Sequence, residues 1–406
     1  MSNESALPGT PAVTTALSVH TATTVIFLAA SSALTPLYRL YQAAWGFSPG
    51  MLTLIFGVYA FALLTSLVLA GSLSDYLGRR PVLSLALLLE VAAITLFLIA
   101  TSPGWLLAAR LVQGAATGLA TSTLAAALID LDRRRGALIN SISPMLGMGF
   151  GALGTTALVE IAPAPLHLVF VVLLVALCLQ LVLTWRTPET AQRRPGALAS
   201  LRPRIFVPQN AWTELLAVTP INVAVWALGG FYLSLMPSLI ATVTAAHSTW
   251  LGGLTVAALT MSGGLAILLL RQSAPLTALV SGACALILGV SVTLIGADLH
   301  LGSLLLAGSV IGGLGFGAAF LGAMRSVVPL AAPHERAGLM AAFYIESYLA
   351  NSVPAILAGY MVRRLDLLAV ANLYGGALIV LVVIGLILTL TRHGRAAAAK
   401  VCTCPA

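Results

Sequence analysis

The sequence predicts an all-α membrane protein: twelve transmembrane helices in two six-helix bundles with pseudo-two-fold symmetry. Three observations predict it. Twelve apolar stretches, each about the length of a bilayer crossing, fill the 406 residues almost end to end. The chain is 59% hydrophobic and 8% charged, with a mean hydropathy of +1.02. A soluble domain carries about 25% charge, so this surface is solvated by lipid. The third observation is an internal echo, described below.

The spanning segments are helices rather than barrel strands. Every backbone polar group in lipid needs an internal partner, which leaves only those two solutions. The runs are continuous in Leu, Ala, Val and Ile, without period-two alternation. The predicted spans are 17–38, 50–71, 81–101, 104–128, 137–160, 166–186, 213–240, 249–270, 275–297, 301–328, 337–361 and 367–391. The longest connection, 187–212, holds Pro188, Arg193, Arg194, Pro195, Arg202, Pro203 and Arg204. It separates a first bundle (1–186) from a second bundle with a short tail (213–406). Residues 1–16 are polar without Lys or Arg and precede a run of spanning length, unlike a cleavable signal peptide.

The positions of the basic residues orient the chain. With the N-terminus inside, sixteen Lys and Arg fall on the cytoplasmic side. Only Arg39, Arg363 and Arg364 fall outside, and Arg110 lies within the fourth span. Positive residues near helix ends favour the cytoplasm, so both termini are expected there, in a cell inner (plasma) membrane. The basic balance is therefore a topology signal with contact to anionic headgroups, and nucleic-acid binding has no support.

Other chemistries find little footing. Cys178 and Cys284 lie in apolar runs and read as small core residues. Cys402 and Cys404 form a C-x-C without the further ligands a metal needs. The histidines at 20, 167, 247, 300, 334 and 393 lack metal-ligand spacing, and there is no phosphate-cradling loop. No cofactor, no metal and no enzymatic activity is expected; a proton gradient is the expected energy source.

The two halves echo each other. Gly114-Ala115-Ala116-Thr117-Gly118 in the fourth span parallels Gly313-Leu314-Gly315-Phe316-Gly317 in the tenth. Asp132-Arg133-Arg134-Arg135-Gly136 before the fifth span parallels His334-Glu335-Arg336-Ala337-Gly338 before the eleventh. A duplicated six-helix unit is the pattern of transporters that rock one half against the other around a midplane site.

Three local signatures complete the picture. After the second span the chain reads Gly71-Ser72-Leu73-Ser74-Asp75-Tyr76-Leu77-Gly78-Arg79-Arg80. The fourth span carries Arg110-Leu111-Val112-Gln113-Gly114, and the fifth carries Gly147, Gly151 and Gly154. With twelve helices and a central basic loop, these residues resemble the major facilitator superfamily, closest in motifs to its drug/proton antiporter-like members. Two departures stand out. Tyr76 occupies a position where Arg or Lys is usual. Gly151 is followed by Ala152 rather than Pro, the proline lying instead at Pro144.

The resemblance assigns roles. Asp75 would sit near the positive N-terminus of the eleventh helix, which begins near Gly338. Arg79 would pair with an acid at the end of the fourth helix, and Asp130 fits. Together Gly71, Asp75, Gly78, Arg79, Arg80 and Asp130 would form a latch made only when the cytoplasmic side is closed. In the resembled fold the first, fourth, seventh and tenth helices line the cavity.

Three ionisable residues lie in the hydrocarbon region: Glu90, Arg110 and Glu346. Such residues are functional candidates, since a charge at the helix centre costs about 2.5–3.5 kcal/mol on translocon scales. Glu346 is read as the proton-coupling group, on a polar stripe with Tyr344 and Asn351. Arg110 is read as attracting Glu346 or a substrate anion, or else as holding its helix to the first through Ser31, Ser32 or backbone oxygens. Glu90 is read as a proton carrier, as a lipid-side acid or as paired to the second helix. Thr21, Thr23, Thr24, Ser31, Ser32 and Thr35, with Asn222, Trp226, Tyr232, Gln113 and Asn140, suggest a wall suited to a neutral or amphipathic solute.

The expected function is alternating-access export of a small solute coupled to protons, by a monomer in the lipid bilayer. The alternative is uptake by proton symport or facilitated diffusion. A non-transporting receptor would call for a large extramembrane domain.

Overall fold

The computed structural model of the chain describes residues 11–203, 205–244, 249–332 and 334–402, with side chains to residue 394. Arg204, His247 and Cys404 lie outside the described residues, and Arg395, Lys400 and Cys402 are described by backbone alone.

Among the described residues fifteen α-helices follow in order: α1 (Pro11–Trp45), α2 (Pro49–Ala70), α3 (Ser74–Leu77), α4 (Arg79–Leu98), α5 (Pro103–Leu131), α6 (Arg133–Ile161), α7 (Pro165–Thr184), α8 (Ala197–Ser200), α9 (Gln209–Ser234), α10 (Met236–Thr244), α11 (Trp250–Leu270), α12 (Pro275–Asp298), α13 (Gly302–Val327), α14 (Arg336–Met361) and α15 (Leu367–Cys402). Pro49, Pro103, Pro165 and Pro275 open their helices, where a missing N–H costs nothing.

Eleven of the described helices are long and apolar enough to cross a membrane. The twelfth, α14, has 26 residues, about 39 Å at 1.5 Å per residue. It is long enough, but Glu346, Ser347, Asn351 and Ser352 lower its hydropathy.

The seventh predicted span departs from expectation: it is broken into α9 and α10 at Leu235. Pro237 has no N–H to donate to the carbonyl of Leu233, so one rung of the helix is missing there. The last helix also runs on past residue 391, to Cys402.

Two large hydrophobic cores form among the described residues, one among buried residues between Phe27 and Leu177, the other between Ala211 and Val382, with two small clusters beside them. Within each, a glycine ridge lets two helices touch backbone to backbone. A Cβ at Gly114 or Gly118 would collide with the Tyr59 or Leu63 carbonyl of α2. A Cβ at Gly313 or Gly317 would collide with the Leu259 or Gly263 carbonyl of α11. The sequence echo is thus an echo of packing, α5 on α2 and α13 on α11. Across the two cores, α14 packs on α2 and α11 on α6.

Cys178 and Cys284 correct their reading as core residues: both are exposed on α7 and α12. In lipid an apolar run marks the outside of a bundle as readily as its centre.

Candidate functional site

The loop after α2 is built around Gly78, whose φ of +99° suits a residue without a Cβ. That turn aims Arg79 back into the loop. Its guanidinium donates to Ser74 Oγ (2.7 Å), Asp75 Oδ1 (2.5 Å) and Asp130 Oδ2 (3.1 Å). Glu189 in the linker accepts from the backbone N–H of Arg79 (2.8 Å) and Arg80 (3.0 Å), capping the start of α4. Arg80 donates to the Thr187 carbonyl, the Arg194 N–H to the Tyr76 carbonyl (2.9 Å), and Thr190 to Asp130 (3.0 Å). The linker is thus laced onto the loop.

The latch expectation needs correction in two respects. Arg79 and Asp130 pair within the first six spans, beside an open cavity, so this pair does not await closure. Asp75 pairs with Arg79, and Gly338 lies against Phe206 of the linker instead.

That cavity, about 1050 Å³, lies between α2 and α5 on one side and α14 on the other. Ser72, Asp75, Arg194 and Arg202 ring its exposed mouth; Thr121, Ser122, Asn140, Leu67, Met340 and Tyr344 line it further in. It reaches along α14 as far as Tyr344. The opposite end is shut. There Thr35 Oγ1 donates to the Leu233 carbonyl (2.9 Å), Thr249 Oγ1 to Glu160 (2.9 Å) and Arg363 to Ser48 Oγ (3.1 Å). Each of these bonds joins the first six spans to the last six.

Glu346 is half-buried. Its Oε2 accepts from Thr219 (2.9 Å) and its Oε1 from Asn222 Nδ2 (2.9 Å), both on α9. Among the described residues it makes no ion pair. It is roughly 200° around the helix from Tyr344, so the expected stripe is not one face. Asn351 packs against Gly229 of α9 rather than lining the cavity.

The first six spans hold a second cluster. Arg110, 1% exposed, donates to the Ser31 carbonyl (2.9 Å), Gln113 Oε1 (2.7 Å) and the Tyr38 hydroxyl (2.7 Å). Its guanidinium lies over the ring of Tyr59, 5.1 Å from the centroid. Gln113 in turn donates to Glu90 Oε1 (2.9 Å), and Glu90 is 0% exposed. Glu90 is therefore neither lipid-facing nor bonded to α2. Arg110 and Glu346 have separate partners in separate cores.

Most hydroxyls of α1 do not form a cavity wall. Thr21 and Thr24 bond to carbonyls one turn back, Thr23 also to Gln180, and Ser32 to Met148 O. Tyr232 is tied to Thr293 and Ser309 in the core. Trp226 joins an aromatic group with Tyr348 (centroids 5.0 Å) and Phe320 (5.9 Å). Three contributors escape sequence reasoning: Glu189, Tyr38 and Tyr59. Glu189 did leave a signal, as the single acid in the basic stretch 187–212.

Comparison with known proteins agrees with this geometry. The family model for the Major Facilitator Superfamily matches residues 21–344. The fold is similar to that of the nucleoside transporter NupG (TM-score 0.72, 13% identity, 92% of this chain and 99% of that one). It is also similar to the peptide transporter POT in complex with sulfate (0.74, 17%, 95% and 95%) and to the human organic anion transporter MFSD10 (0.66, 19%, 93% and 100%). Among curated proteins no sequence matches. Members of the matched family are secondary transporters of small molecules, often proton-coupled, and are not enzymes. A multi-pass helical chain with this loop, this echo of packing and this one-sided cavity belongs to the major facilitator superfamily.

Proposed function

We propose that this transporter exports a small neutral or amphipathic solute in exchange for protons, by alternating access, as a monomer with both termini in the cytoplasm. One observation carries the reading: a cavity of about 1050 Å³ open at the basic end and shut at the other by bonds between the two sets of six helices. Such a cavity faces one side at a time, and rocking would move its mouth.

The lining supports the solute class. Thr121, Ser122 and Asn140 stand among Leu67, Val68, Ala125 and Met340, with the charges kept to the mouth. Glu346 supports the coupling. It is a carboxyl without an ion-pair partner among the described residues, held only by the uncharged donors Thr219 and Asn222 of α9. The export direction rests on the Arg110-Gln113-Gly114 signature and the glycines of α6. The resembled structures carry nucleosides, peptides and organic anions, so the fold itself does not choose the solute.

The test is a solute panel in everted vesicles under an imposed pH gradient, repeated with Glu346→Gln. Gradient-driven accumulation of a solute, lost in the variant, is expected. Equal flux without a gradient makes the chain a facilitator, and flux with the opposite dependence on the gradient makes it a symporter.

A further inference from the structure

The far end, shut by bonds between the two sets of six spans, carries a second cavity of about 370 Å³. Its two walls come from different sets. Arg39, Gln42 and Ala43 of α1 form one, and Ser238, Ala241 and Thr242 of α10 form the other. Arg39 and Ala241 also line a neighbouring void of about 10 Å³, with Gly252 and Gly253 of α11.

Each wall presents one donor with nothing to bond. Arg39 makes no hydrogen bond or ion pair among the described residues, and neither does the Ser238 hydroxyl. Both side chains are partly buried and line open space. The other polar groups are engaged: Thr242 Oγ1 donates to the Ser238 carbonyl (2.9 Å), and Gln42 Nε2 to the Phe47 carbonyl (3.4 Å). No acid lines either space. Glu160, which accepts from Thr249 at this end, makes no ion pair with Arg39.

The charge pattern makes Arg39 stand apart. In the sequence it is one of three basic residues at this end, where positive charge is disfavoured. Arg363 donates to Ser48 and lies over the Tyr360 ring (5.5 Å), and Arg364 is exposed. Arg39 instead stands in the seam between the halves, where a guanidinium loses water and gains no partner from the chain.

We infer that Arg39 and Ser238 form a site for a small organic carboxylate that clasps the far end shut. The planar guanidinium fork suits the two oxygens of a carboxylate, and Ser238 donates from the opposite wall. Because the walls belong to different halves, the site exists only while the far end is closed. A bound anion therefore favours the conformation open at the basic end. The clasp rests on alternating access; the anion site itself does not, and neither depends on which solute is carried.

Trifluoroacetate is the probe, and trifluoroacetamide its uncharged counterpart. Fluorine NMR linewidths are followed with the full chain in nanodiscs of zwitterionic lipid, against empty nanodiscs. Trifluoroacetate should broaden saturably, excess acetate should reverse the effect, and the affinity should exceed that of the amide roughly tenfold, as one hydrogen bond to a charged group provides. Arg39→Gln should abolish the broadening. Ser238→Asp supplies a carboxylate from the chain itself and should abolish it too. The clasp is read from labelling of Ser122→Cys in the large cavity, in a background without other cysteines and with Thr35→Val loosening the far end. Labelling should quicken as trifluoroacetate saturates, and should not respond when Arg39→Gln is added.

No saturable broadening by the wild-type chain, or equal affinity for the amide, overturns the site without recourse to any variant. Broadening that persists in Arg39→Gln at an unchanged thermal midpoint overturns it too. Broadening without any change in labelling overturns the clasp. Neither measurement needs a gradient or an exported solute. A failed site therefore leaves proton-linked flux standing, and failed flux leaves the anion site standing.

Discussion

Each set of six spans holds a carboxyl within the membrane gripped by a carboxamide from another helix, at the same distance. Gln113 donates to Glu90 at 2.9 Å, and Asn222 donates to Glu346 at 2.9 Å. What differs is the company. Glu90 is sealed at 0% exposure, and the amide that holds it also accepts from Arg110 at 2.7 Å. Glu346 is half-exposed, has a hydroxyl from Thr219 as its second donor, and makes no ion pair among the described residues. The same pair of groups thus serves opposite ends. With a cation one amide away and no exposure, Glu90 fastens α4 to α5. With two uncharged donors from α9 and no cation among the described residues, Glu346 is the carboxyl that the proposed function makes the proton-exchanging one.

The largest effect that tests this contrast is on stability. Arg110→Met leaves Glu90 as a buried acid without its compensating charge, which typically costs about 3–5 kcal/mol. The loss should appear as a lowered unfolding midpoint in detergent. The double variant Arg110→Met with Glu90→Gln removes both charges and should recover most of it. If single and double variants unfold together, the cluster is not a fastener. The next effect is on flux. Glu90→Gln should leave proton-linked transport in everted vesicles near wild type, whereas Glu346→Gln should abolish it while the protein stays folded. Equal loss from both substitutions would erase the distinction between the two carboxyls.

The spans were legible because lipid sets their length, and the charge pattern and glycine ridges were legible because each is local in sequence. Long-range chemistry was not. Trp226 and Asn222 read as cavity-lining from their helix, but folding sets Asn222 against Glu346 and Ser347 and Trp226 against Tyr348 and Phe320, away from the cavity lining. The six hydroxyls from Thr21 to Thr35 on α1 read as a polar wall, yet in a dry interior a hydroxyl most cheaply bonds a carbonyl one turn back, and Thr21 and Thr24 do so. The readings of Glu90 stayed three, proton carrier, lipid-side acid or partner of the second helix, because Gln113, the residue that holds it, lies on the next helix. Cys178 and Cys284 read as core because hydropathy does not separate lipid from protein as the apolar neighbour.

A second contrast runs along the molecule rather than across it: the basic end is joined through the linker, the far end by direct bonds. Glu189→Ala removes the acceptor for the N–H groups of Arg79 and Arg80 and should cost about 1 kcal/mol, as caps generally do. The linker should also become more easily cleaved in limited proteolysis. A linker just as resistant in the variant would mean that the remaining bonds, such as Arg194 N–H to Tyr76 O, hold it alone.

The smallest effect falls at the far end and is the most specific. Pro237 leaves the Leu233 carbonyl without its helical donor, and Thr35 from α1 supplies one at 2.9 Å. Thr35→Val deletes that donor, so the shut far end loses about 1 kcal/mol. A shift of that size changes the ratio of the two conformations about fivefold, away from the one open at the basic end. In a background without other cysteines, labelling of Ser122→Cys inside the cavity should slow accordingly. Pro237→Ala restores an N–H beneath Leu233, so in that background Thr35→Val should change the labelling rate little. A proline break in one half is then the reason a threonine in the other half matters. Equal effects of Thr35→Val with and without Pro237 would sever that link and leave the far end held by Glu160 and Arg363 instead.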